Sequence, residues 1–189
     1  MTAMTLERIP RDELPEQFAP AWDMLNKLTG EPAFVEAFAT APHVLGFVMG
    51  DFYQRLFFEG HVEQRYKQIA RLRLSVLHGC RTCNKQNTVG AAEAGLSAGE
   101  ISAIMGGEYD LSDELTGADK AVIAYADQVA LTNPEGRLTS ELTDQLRAHF
   151  SSADICELGT VMAVIAGMAK LSFVLDLVEK EPYCEFATG

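Results

Sequence analysis

Residues 78–87 read HGCRTCNKQN and place Cys80 and Cys83 three apart, between two segments of helical character. Upstream, RYKQIARLRLSVL (65–77) reads as a helix; downstream, Lys85 to Ala94 reads as another. The pair therefore sits at a helix-to-helix junction, at the mouth of the second helix. Unpaired amides at such a mouth carry partial positive charge and favour a thiolate over its thiol. Arg81, between the two cysteines, pushes the same way. The spacing is that of thiol–disulfide chemistry.

The helix before the motif repays a residue count, because each residue turns the side chain by about 100 degrees. Tyr66, Ile69, Ala70, Val76 and Leu77 gather on one side. Gln68, Arg71, Ser75 and His78 follow at spacings of three, four and three, a polar stripe running towards the cysteines. Two readings stand side by side: a solvated face, or one wall of a wet active-site cleft. Arg73 projects from the apolar side and so calls for a carboxylate on another helix.

Val, Ile and Thr never gather into the alternating runs that mark strands, so the fold class is all-α. A Pro-punctuated arm (residues 1–20, with Pro10, Pro15 and Pro20) precedes short helices over 21–28 and 33–40, divided by Gly30-Glu31-Pro32. Pro42 opens a longer helix through VLGFVMGDFYQRLFF, read as core or subunit interface before pocket wall. Ser97 with Glu100 and Thr116 with Asp119 have capping-box spacing ahead of two further helices, and EYDLSDELTG (108–117) reads as a solvated acidic linker. GLSAGEISAI (95–104) and HFSSADICEL (149–158) echo one another, which shared capping rules explain without a duplication. Thr139 to Phe150 is amphipathic. The last helix, ICELGTVMAVIAGMAKLSFVLDLVEK, is apolar on most of its circumference, with Gly159 and Gly167 as flat spots, and calls for covering neighbours that include another subunit.

Bulk properties narrow the setting. At 189 residues a single domain over 1–189 is the expectation. A formal net charge of -12 argues against nucleic acid and anionic membrane surfaces. Four cysteines, two of them crowded into one motif, do not make a secreted disulfide framework, and the N-terminus MTAMTLERIPRDELPEQF has no signal-like apolar core. A reducing, cytoplasmic location is expected. The longest uncharged run, Leu158 to Ala169, falls short of the roughly 20 apolar residues that span a bilayer.

The stretch QIARLRLSVLHGCRTCNKQN, with the GLSAGEI turn, the DKAVIAYADQVALT helix and the FSSADICEL turn, resembles the alkylhydroperoxidase D (AhpD) and carboxymuconolactone decarboxylase superfamily. The resemblance implies an all-helical AhpD-like fold, a homo-oligomer, and a peroxidase working through reversible cysteine oxidation. It assigns Cys83 as the thiol that attacks peroxide and Cys80 as its resolving partner, with a hydroperoxide or disulfide as substrate and an external dithiol as reductant. Peroxidase members also carry Glu twelve residues before the first cysteine and His four residues after the second, forming a proton relay. Here those positions hold Gln68 and Asn87, neither of which takes up a proton near neutral pH.

His78 is the only histidine near the motif; as a turn residue it satisfies a backbone group, and as a catalytic one it would assist the thiols. Cys80, Cys83 and His78 supply at most three ligands, with no second pair to close a tetrahedral set, so no metal and no other cofactor is expected. The alternative to an oxidoreductase is a relative that has lost catalysis and persists as an oligomeric binding or scaffold protein. Decarboxylase chemistry ranks below both, since that branch does not depend on a cysteine pair.

Overall fold

The computed structural model describes residues 6–186, so the first five residues of the expected arm lie outside it. Among the described residues the architecture is all-α, and the only strand-like feature is an isolated antiparallel bridge between Cys80 and Lys180. In order, the helices are α1 (Ala19–Thr29), α2 (Ala33–Phe38), α3 (Pro42–Gly46) continuing into a π-helical segment (Phe47–Phe58), α4 (Gln64–His78), α5 (Arg81–Glu93), α6 (Ala98–Gly106), α7 (Gly117–Val129), α8 (Ser140–Arg147) and α9 (Ser152–Val174).

α4 is the axle. α5, α6, α7 and α9 all pack on it, and every residue from Lys67 to Ser75 is buried. The partners of its cations lie on the surrounding helices. Arg65 is held by Asp119 and Glu100, Lys67 by Glu157 at 2.7 Å, and Arg73 by Asp127 at 2.6 Å, which supplies the carboxylate its apolar side demanded. Tyr109, near the start of the expected acidic linker, is buried too: its hydroxyl donates to Asp127, and Arg73 lies over its ring at 5.1 Å. That linker is therefore pinned at Tyr109 and again at the buried Leu115 rather than solvated throughout.

Three helices start on reciprocal capping boxes, Ser97 with Glu100, Thr116 with Asp119 and Ser151 with Asp154, so both halves of the sequence echo are the same capping device. Two boundaries differ most from expectation. α5 begins at Arg81, not Lys85, because Cys80 itself is the N-cap and its Sγ accepts the Cys83 N–H at 3.2 Å. α9 stops at Val174 rather than running to the Val-Glu-Lys triplet at 178–180. Asp176 takes the left-handed backbone (φ 53) and the Leu177 N–H reaches back to the Ser172 carbonyl, a Schellman-type closure made with aspartate where glycine is usual.

The packed core falls into a main cluster around α4 and α6 to α9, and a second joining the N-terminal helices to Leu177. Between them lies a cavity. The π segment forms one of its walls: in its wider i→i+5 turn, residues four and five apart share a face, so Val48, Phe52 and Phe57 turn inward together.

Candidate active site

The chain reverses between α4 and α5 at Gly79, in the left-handed conformation (φ 65). Only glycine fits there, since a Cβ would fall 2.7 Å from Cys184. Cys80 and Cys83 follow as a disulfide with 5.2 Å between their Cα atoms. Their environments differ. Cys80 is fully buried beside Phe173 and Cys184, whereas Cys83 is partly open and lines the cavity. Its position in the first turn of α5 places it among the free amides that favour negative charge.

The last described segment folds back over the motif. Arg81 N–H donates to the Glu179 carbonyl at 2.9 Å, Glu181 N–H to the Gly79 carbonyl at 2.8 Å, and the Cys184 thiol to the His78 carbonyl at 3.1 Å. The same segment changes the reading of Arg81. Its guanidinium turns to Glu179 at 3.7 Å and Glu181 at 3.5 Å, so its charge is largely offset and the helix terminus is left as the main support for a thiolate.

The cavity has a volume of about 710 Å³ and gathers the polar stripe of α4 on one wall: Gln68, Arg71, Ser75 and His78 all line it with Cys83 and Asn87. The cleft reading of the stripe is thus the one the geometry adopts. The aromatic helix after Pro42, expected in the core or at an interface, also lines it through Met49, Phe52, Tyr53 and Phe58. Met24, Leu25 and Phe34 from the N-terminal helices and Met168 and Ser172 from α9 complete the enclosure.

Gln68 and Asn87 do not bond to each other. Asn87 donates through Nδ2 to the Arg71 carbonyl at 3.0 Å, leaving its Oδ1 without a partner, and Gln68 Oε1 is likewise unpartnered. Gln68 lies over Gly90, where a Cβ would stand 2.9 Å from Oε1. The small residue thus makes room for the amide as well as for close packing of α4 on α5.

His78 is buried, and its Nε2 accepts the Leu131 N–H at 3.1 Å, which leaves the proton of the neutral ring on an unpartnered Nδ1. Burial holds its pKa down at about 4, so near neutral pH the ring is uncharged. It is a satisfied turn residue on one side and a potential N–H donor on the other.

Glu31 is the residue that sequence reasoning passed over. From the break after α1 it accepts from the Thr82 hydroxyl, between the two cysteines, and from the Glu179 N–H at 3.2 Å, and pairs with Lys85 at 3.4 Å. Burial alone would raise its pKa, but the Thr82, Glu179 and Lys85 contacts outweigh that and hold it below the usual range. Its only sequence signal was a charged residue lodged in a Gly-x-Pro turn. Among the described residues no cluster of His, Cys, Asp and Glu has the makings of a metal site.

Comparison with known proteins places this geometry in context. Residues 45–127 match the model of the carboxymuconolactone decarboxylase family. A comparison with curated proteins gives no match. Among solved structures, a protein of unknown function from Agrobacterium tumefaciens, provisionally described as an antioxidant defence protein AhpD, superimposes with a TM-score of 0.65 at 21% identity, covering 77% of this chain and 94% of that one. The debrominase Bmp8 superimposes with a TM-score of 0.74, covering 96% of this chain and 94% of that one. Identity is 18% to its apo form and 17% to a cysteine-to-alanine variant in complex with 2,3,4-tribromopyrrole.

Proposed function

From a chain of the AhpD-like carboxymuconolactone decarboxylase superfamily, with its matched segment spanning the cysteine pair, we propose a thiol-dependent oxidoreductase that reduces a hydroperoxide held in the cavity. The observation that carries this reading is the asymmetry of the pair: Cys83 faces the cavity in the first turn of α5 while Cys80 is shut away behind it. The Cys83 thiolate attacks the outer peroxide oxygen, the O–O bond breaks, and an alkoxide leaves to be protonated as the alcohol. The sulfenic acid so formed condenses with the Cys80 thiol, releasing water and closing the disulfide. An external dithiol then reduces the disulfide by exchange.

Gln68 and Asn87 supply hydrogen-bonding groups where the family relay has proton carriers, so turnover is slow and rests on the helix terminus. The assembly is a homo-oligomer, and the reducing partner and location are those of the cytoplasm. In a test with mild peroxide, the peptide containing both cysteines loses two hydrogens, and Cys83→Ser abolishes peroxide consumption with a small dithiol. Free thiols that persist under those conditions would overturn the redox reading in favour of a binding or scaffold protein.

A second reading is favoured by the shape of the cavity, which is wide and aromatic-lined and lacks a proton relay, and by the likeness to a debrominase over 96% of the chain. In it, the two thiols supply the two electrons that replace a ring carbon–halogen bond by carbon–hydrogen, with halide released and the disulfide formed. Halide release from a bromopyrrole, measured beside peroxide consumption, separates the two.

A further inference from the structure

Four cations stand on α4, and three of them meet a carboxylate: Arg65 with Asp119 and Glu100, Lys67 with Glu157, Arg73 with Asp127. Arg71 is the exception. It is 6% exposed, and among the described residues no carboxylate lies within ion-pair distance of its guanidinium and no acceptor is hydrogen-bonded to it. Its contacts are instead the faces of Tyr53 at 5.3 Å and Phe57 at 5.5 Å, which hold the planar group without neutralising it. A guanidinium stays charged at any physiological pH, and burying it unpaired is costly. In a chain of net charge -12 the absence of a partner at this one position is a local arrangement, not a shortage of acids.

The unpaired charge opens onto the cavity that holds Cys83. The Arg71 carbonyl is bonded by Asn87, one turn along α5 from Cys83, so the guanidinium and the thiol approach the same space from adjacent turns of two packed helices. Met24, Leu25, Phe34, Phe52 and Met168 give the cavity an apolar stretch of wall, while Lys27, Glu31 and Glu93 also line it; Glu31 is already engaged by Thr82 and Lys85. We propose that Arg71 is an anion-binding site, and that the substrate is an organic acid whose anionic head pairs with Arg71 while its apolar body fills the space between the N-terminal helices and α9. This rests on the reading of the Cys83 cavity as a substrate site, and it narrows the substrate from any hydroperoxide or haloarene to one bearing a negative charge. A cavity of about 710 Å³ accepts bodies of drug-like size, whether a chain or a fused ring.

The test is binding to the full-length oxidised protein, in which both cysteines are tied up and no turnover occurs. By calorimetry, dodecanoate is compared with dodecanol and 2-naphthoate with 2-naphthamide, so that the two arms separate an alkyl from an aryl body. At least one acid is expected to bind about ten- to a hundredfold tighter than its neutral counterpart, the range of a charge-assisted hydrogen bond. Arg71→Gln should erase that preference with the neutral ligand unaffected, and Arg71→Lys should keep part of it. Equal binding of acid and neutral ligand, or a preference that survives in Arg71→Gln, overturns the proposal. Should Arg71→Gln not fold, phenylglyoxal labelling of the unaltered protein decides: the acid must protect Arg71 and its neutral counterpart must not. Intact head-group preference in a protein that consumes no peroxide and releases no halide would remove the redox reading and leave the anion site standing.

Discussion

At His78 a single burial event sets both a stability and a chemistry. Its folded pKa of about 4 against 6.5 for an exposed histidine means that the unfolded chain binds the extra proton across that interval. The stabilisation is fully present above pH 6.5 and is lost as the pH falls towards 4, by about 3 kcal/mol in all. Urea titrations at stepped pH should show this slope, and His78→Gln should flatten it. Cys83 and the relay positions are tested together by Gln68→Glu with Asn87→His. General acid–base assistance is worth about a hundredfold to ten-thousandfold, so dithiol-coupled peroxide consumption should rise visibly. A folded double variant with no gain would mean that the surrounding cavity, not the relay alone, has moved away from peroxide chemistry. Thiol labelling gives a simpler check. Cys184 is buried and Cys83 is tied to Cys80, so the native oxidised protein should take up alkylating reagent at neither, with Cys83 reacting after reduction.

Among the elements, the reversal between α4 and α5 decides the site's geometry. Gly79 accepts the left-handed backbone and lets the Cys184 backbone pass close above it. Gly79→Ala adds both a strained φ and a clash, and should cost about 2 to 4 kcal/mol in chemical denaturation while loosening the segment that covers Cys80. The π segment is the second decisive element. Its broad turn directs Phe52 and Phe57, five residues apart, to one inward face that an ordinary helical period would split, and Tyr53 and Phe57 flank Arg71. The sequence run FVMGDFYQRLFF announces an apolar helix but not its pitch, so the wall of the cavity reads as plain core.

For the whole molecule, α9 carries the case for the proposed homo-oligomer. Its inner face buries Leu158, Val161, Met162, Ala166 and Phe173 against the rest of the chain. The opposite stripe, Cys156, Thr160, Ala163, Gly167, Leu171 and Val174, is exposed along the same helix. By length and composition Ser152–Val174 would suffice to cross a membrane, yet Glu157 and Lys170 are both engaged, with Lys67 and with the ring of Phe186. Coverage of the open stripe by a second copy fits these facts, and light scattering should give a mass that is a multiple of 20.6 kDa. A monomer would contradict it.

What the residues determined by themselves was local. Helical periodicity, the three capping boxes, the position of the thiol pair at a helix mouth and the need of Arg73 for a carboxylate all follow from interactions within a turn or two, or from the cost of burying a charge. What only tertiary structure decided was everything that depends on which helix lies against which. The choice between solvated face and cleft for the Gln68 to His78 stripe, the diversion of Arg81 to Glu179 and Glu181, the arrival of Glu31 beside Thr82 and the solitude of Arg71 each join residues far apart in the chain. Charge and periodicity fix what a side chain needs; the packing of α4 at the centre of the molecule fixes whether that need is met by another helix, by solvent or by a ligand.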